Sequence, residues 1–143
     1  MANSRLVSTI VAASVVLTGG AAATAWAGGP PGFAEEADDV SVAVGTGEFE
    51  GALVGFTATG NTNDQASAAV VAACNAAGGV ECTSDEVTND RLCIVSVGDG
   101  VTHVVSGGAG VTVEAARADA FNRAAAAGTP LGADSTTVVS ACP

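Results

Sequence analysis

Four cysteines and one histidine are the residues of this 143-residue chain whose types best suit chemistry. Cys74, Cys82, Cys93 and Cys142 are nowhere spaced as the C-x-x-C of a zinc knuckle or a thioredoxin-type site. Their even number, in a chain that opens like an exported one, speaks for two disulfides rather than a metal or redox centre. Of the three pairings, Cys74–Cys93 with Cys82–Cys142 is favoured, because a helix-to-strand bridge would clamp the core. A local Cys82–Cys93 loop is its rival. Each bridge would contribute about 2–4 kcal/mol.

His103 is the sole histidine. A catalytic base needs a nucleophile and an orienting group within reach. Between Thr102 and Val104, His103 reads as an exposed or pairing residue in mid-strand. Glu48 and Glu50 flank Phe49 in a hairpin loop, but a glycosidase pair would need an aromatic-lined cleft. The single Trp, Trp26, falls in the leader described below. Asn61, Asn63 and Asp64 resemble a fragment of a calcium loop without its turn glycine and distal Glu, and read as capping residues. Asp85, Glu86 and Asp90 offer at most weak calcium binding. Asp99, ahead of Gly100, is a turn former. Gly107–Gly110 precedes a helix but has neither Walker nor dinucleotide spacing, so it reads as a turn. The expectation is a chain with no catalytic, cofactor-binding or metal site, and no enzymatic activity.

Residues 1–27 read as a signal peptide. Arg5 is followed by an apolar run from Leu6 to about Ala25, closed by the small-x-small pattern Ala25-Trp26-Ala27. No cysteine near that point suits a lipoprotein anchor, and one Arg does not make a twin-arginine signal. Cleavage after Ala27 would remove Arg5 and move the net charge from −11 to −12. Such an acidic chain is unsuited to nucleic acid or to an anionic membrane surface. It should lose solubility near its isoelectric point of about 4.1. Residues 28–39 (GGPPGFAEEADD) read as a flexible acidic tether.

Residues 40–143 read as one domain that repeats a plan. Val40–Val44 alternates as a strand, Gly45-Thr46-Gly47 begins a turn, and Ala52–Thr59 is a second strand. Thr62 caps a helix, with Gln65 completing a capping box. Its apolar stripe is Ala66, Ala69, Val70 and Ala73, and Gly78-Gly79 stops it. The plan returns as a strand at Leu92–Val97, a tight hairpin at Gly98-Asp99-Gly100, and a return strand at Val101–Ser106. A helix capped by Thr112 follows, with Ala116, Ala120, Phe121 and Ala124 on its apolar face. The polar segment Cys82–Asp90 reads as a loop joining the halves. The fold class expected is α+β: a duplicated ββα unit forming a four-stranded antiparallel sheet with two helices on one face.

The order Thr62–Cys74 (TNDQASAAVVAAC), AAGGVEC to Cys82 and NDRLC to Cys93 resembles the DUF4189 family. These are small secreted bacterial proteins, common in mycobacteria and relatives, with no assigned biochemical function. The resemblance spans about Val40 to Ala127. Family strands are typically Trp-rich, whereas Ala52–Phe56 and Val101–Ser106 carry no Trp. It implies a single exported, non-catalytic domain and supplies no ligand. The reading is a secreted or envelope-located binding module for an unknown extracellular protein or envelope component, with no membrane attachment after signal cleavage. The flat sheet face opposite the helices would be its contact surface. The alternative is an inhibitor of a hydrolase, presenting GEFEG (47–51) or the Cys82–Cys93 loop.

Overall fold

The computed structural model describes residues 40–143. The signal peptide and tether expected at 1–27 and 28–39 lie outside the described residues. The described chain forms β1 (Ser41–Phe49), β2 (Ala52–Gly60), α1 (Asn63–Ala76), β3 (Val80–Thr88), β4 (Cys93–Gly98), β5 (Val105–Gly110), α2 (Val113–Ala126) and β6 (Thr136–Ala141).

The repeat is real, but its unit is ββαβ. Two three-stranded antiparallel sheets run β2-β1-β3 and β5-β4-β6, so in each half the first strand is central and the strand after the helix takes the free edge. The single four-stranded sheet is thereby corrected to two sheets. Helix α1 packs on the first sheet and α2 on β4 and β5 of the second. The other faces meet: β2 lies against β6, β1 against β4 and β6, and β3 against β5. The layers therefore run helix, sheet, sheet, helix, with the helices on opposite outer faces rather than on one. This explains why all of β4 and most of β1 are buried, since each central strand is covered on both sides.

Local chemistry builds both helices in the same way. The hydroxyls of Thr62 and Thr112 accept from the amides of Gln65 (3.2 Å) and Ala115 (3.1 Å). Gln65 reaches back to the amide of Asn61, one residue before the cap rather than the cap itself. At the C-termini, Gly79 donates to the Cys74 carbonyl and Thr129 to that of Ala124, both at 3.0 Å. Gly78 (φ 90°) and Gly128 (φ 80°) supply the left-handed residue that such Schellman ends require. The buried stripes correspond as well: Ala66, Val70 and Cys74 on α1, Ala116, Ala120 and Ala124 on α2. They seal two small cores, α1 with Ala43, Phe56 and Ala58, and α2 with Val95, Val97 and Leu131.

Glycine makes such small helix faces sufficient. A Cβ on Gly108 would lie 2.1 Å from the Ala116 carbonyl oxygen, and one on Gly107 would lie 2.0 Å from that of Asp85. Residues 107–110 are therefore not a turn. They end β5, and its missing side chains let α2 close on one face and β3 on the other. The polar segment 82–90 is likewise corrected from a loop to most of β3. It is an edge strand, so part of its polar side chains stay at the surface.

Both disulfides stay within their own halves. Cys74 bonds Cys82, eight residues on, tying the last turn of α1 to β3. Cys93 bonds Cys142 across the β4–β6 pair, where the neighbouring residues Ile94 and Ala141 are in register. The favoured Cys74–Cys93 and Cys82–Cys142 pairing is overturned, as is the Cys82–Cys93 rival. Cys74 is buried against its own sheet, its sulfur 2.1 Å from where a Gly47 Cβ would sit, and so faces away from the second half. All four cysteines are thus disulfide-bonded, which suits an oxidising compartment. No helix among the described residues is long and apolar enough to cross a membrane.

Candidate functional site

With helices outside and the sheets' inner faces pressed together, the flat sheet face expected to bind partners is covered. An opening lies instead at one end of the sandwich. There the β1–β2 turn, the start of β6 and the β4–β5 loop come together around a groove of ≈ 330 Å³. Its walls include Leu53, Gly98, Gly100, His103, Thr136 and Val138.

Asp99 organises the loop that carries Gly100 and His103. Its Oδ1 accepts from the amides of Val101 (2.8 Å) and Thr102 (3.1 Å), and its Oδ2 from Gly132 (3.1 Å). The Asp99 amide donates to the Val104 carbonyl and the His103 amide to the Asp99 carbonyl, both at 2.9 Å. The backbone amides of Thr102 and Val101, then that of Gly132, hold this carboxyl below its ordinary range, against the opposing effect of burial. The tight hairpin expected at Gly98–Gly100 is therefore a longer loop, 99–104. The return strand begins at Val105 rather than Val101. Loop closure drives Val101 outward, leaving it 88% exposed at the tip.

His103 is on this loop rather than in mid-strand, and its backbone is left-handed (φ 60°). Its Nδ1 lies 2.5 Å from Glu48 Oε1 at the end of β1. An ionised carboxylate only accepts, so Nδ1 carries the proton of this bond and a neutral ring presents Nε2 as an acceptor. The imidazole is 44% exposed and the Glu48 carboxylate arm 21% exposed, so the pair is anchored on one side and open on the other. Glu48 and His103 are far apart in sequence, and neither their types nor their spacing signalled the contact.

The β1–β2 turn is tighter than expected. Strand β1 continues through Gly45, Thr46 and Gly47 to Phe49, leaving only Glu50 (φ 51°) and Gly51 (φ 83°) between the strands. GEFEG is therefore mostly strand. Glu48 and Glu50 do not form a facing pair, because Glu48 is committed to His103. Asn61, Asn63 and Asp64 sit at the start of α1, but the cap is Thr62: Asn61 only donates its backbone amide to Gln65, and Asp64 lies in the first turn. Asp85 accepts from Thr83, and Glu86 pairs with Arg123. Among the described residues no group of three His, Cys, Asp or Glu side chains is placed to hold a metal ion.

Side-chain pairs among the described residues join the halves. One is Glu48 with His103. Another is Arg123 of α2, which pairs with Glu86 of β3 and, at 2.8 Å, with Asp119 of its own helix. Arg117 donates to the Ser135 carbonyl (2.5 Å) and Thr137 Oγ1 (3.2 Å), fixing the start of β6 beside the groove. Its guanidinium also stacks on Phe121.

No family model, no curated protein and no solved structure matches this chain.

Proposed function

We propose that this chain is a secreted, disulfide-stabilised binding module without catalytic activity, and that its contact surface is the groove end of the sandwich. The observation that carries the reading is the Asp99-pinned loop. It offers an outward Val101 and a Glu48-anchored His103 beside an open groove. A pinned, exposed loop loses little conformational freedom when it is covered, which favours recognition. The resemblance to DUF4189 and the leader-like first 27 residues support export. The acid excess supports an extracellular protein or envelope component over nucleic acid or an anionic membrane.

The test is retention of partners from culture filtrate and envelope extracts on three immobilised proteins: wild type, Val101→Asp with His103→Asn, and Asn122→Ala on the exposed face of α2. A partner kept by wild type and Asn122→Ala but lost by the loop variant supports the reading. Equal retention on all three overturns it.

The exposure of Val101 favours a second reading, inhibition of a secreted hydrolase. The two segments first considered for this are unsuited, since GEFEG and 82–93 lie largely in strands. The 99–104 loop would take their place. Undiminished activity across a panel of secreted proteases and lysozymes would remove this reading.

A further inference from the structure

We infer that the groove at the sandwich end takes a primary ammonium on an aliphatic stem, specifically a lysine side chain of the partner. This deepens the proposed function and rests on it.

Three features of the site select this chemistry. With Nδ1 bonded to Glu48, the neutral form of the His103 ring offers Nε2 to a donor. One imidazole is a single ligand, and no three-residue metal cluster accompanies it among the described residues, so that lone pair suits an N–H donor better than a metal ion. The walls behind it are Ala52, Leu53 and Val138, with Gly98 and Gly100 leaving room between them and Thr136 adding a hydroxyl, a mixed lining that accepts a methylene stem behind a polar head. A volume of ≈ 330 Å³ is at the small end of ligand sites and exceeds what one stem needs.

Charge supports the same occupant. No Lys or Arg lines the groove. Arg117 is committed to Ser135, Thr137 and Phe121, and Arg123 to Glu86 and Asp119. The Glu48 carboxylate bonded to the ring's Nδ1, in a chain of net charge −11, disfavours an anionic guest and favours a cationic one. The chain itself contains no lysine, so a lysine ammonium has to come from another molecule.

The test is titration of the 15N-labelled full chain at pH 8.5 with Nα-acetyl-lysine N-methylamide and, separately, with its norleucine counterpart, which lacks the amine. The expected result is saturable shifts of the Gly51, Leu53, Gly98 and Gly100 amides and of the His103 ring. The lysine compound should bind about tenfold more tightly than the norleucine one. His103→Asn removes Nε2 while keeping a residue that tolerates φ near +60°, and it should abolish the preference. No saturable shift, equal binding of both compounds, or unchanged lysine binding by His103→Asn would each overturn the inference. Should His103→Asn fail to fold, the lysine–norleucine comparison on the wild type still decides. The two readings fail separately. Equal binding of both amides with a partner still lost by the Val101 and His103 variant removes only the ammonium. A partner indifferent to that variant removes the contact surface itself.

Discussion

The two ββαβ halves share caps, helix ends, strand order and buried stripe, yet they differ where their first two strands join. In the first half the chain turns over Glu50 and Gly51 alone, both left-handed. In the second it runs through a six-residue loop, 99–104, folded around the Asp99 carboxylate. The first join is a device for reversing direction. The second places an apolar tip and an imidazole at the surface. One backbone plan thus serves as scaffold in one copy and as display in the other, and Glu48 of the first copy anchors the displayed histidine of the second.

The halves also differ in how their helices are seated, and the largest expected contrast between them tests that. Ala58 and Gly108 occupy matching places on β2 and β5. Gly108→Ala would drive a methyl into the α2 backbone, so it should cost about 3 kcal/mol. Ala58→Gly should cost about 1 kcal/mol. Urea unfolding of both variants checks the contrast, and similar losses would mean the helices are seated alike.

The disulfides give the next contrast. Cys93–Cys142 closes a span of 49 residues and Cys74–Cys82 one of eight. In the chain-entropy account the Cys93→Ser, Cys142→Ser pair should lose about 4 kcal/mol and the Cys74→Ser, Cys82→Ser pair about 2.5 kcal/mol. A reversed order would show that burial of Cys74 outweighs loop length.

Cap removal should not distinguish the halves at all. Thr62→Ala and Thr112→Ala should each cost about 1 kcal/mol, since their hydroxyl bonds are equivalent. Different thermal midpoints for the two variants would show that the repeat is closer in geometry than in energy.

Asp99 sharpens the difference by pH. Its folded pKa is depressed, so its contribution is fully present above the unfolded carboxylate value of about 3.9 and is lost as pH falls through the lower folded value. Asp99→Asn should therefore be less stable than wild type at pH 7, and the gap should narrow as pH falls below 4. Denaturation midpoints at pH 7 and pH 3 check this, and a constant gap would assign the loss to packing. Least in size is Glu50→Asn in the tight turn. Asn suits a left-handed turn position better than Glu, so a gain of about 0.5 kcal/mol is expected. A loss there would mean that the Glu50 side chain has a role of its own.

Much of the scaffold was legible because its signals are local. A threonine three residues ahead of a free amide and a glycine past the last turn act within one helical turn, so both helices could be read from the sequence. What misled was composition taken as conformation. The glycines of 107–110 suggested a breaker, yet they serve close approach from two sides. The acids and threonines of 82–90 suggested a loop, yet an edge strand tolerates polar side chains. Strand β6 went unread because TTVVSA is short and follows Gly and Pro, and the strand is completed only by pairing with β4. The site was less legible still. Asp99 was identified as a turn former, but its reach to Gly132 and the Glu48–His103 contact depend on segments distant in sequence.

Two Thr-capped helices, their small buried stripes, a repeated order of elements, a strong acid excess and cysteines suited to disulfides can all be read from the residues alone. These follow from periodicity, capping and composition, which act over a few residues or over the whole chain. That there are two sheets, that their inner faces cover one another, and which cysteines pair became visible only in the folded chain. Those outcomes depend on which backbones can approach, and a glycine permits approach without naming its neighbour. The same packing covered the inner sheet faces and left Val101, His103 and the groove exposed at one end of the sandwich.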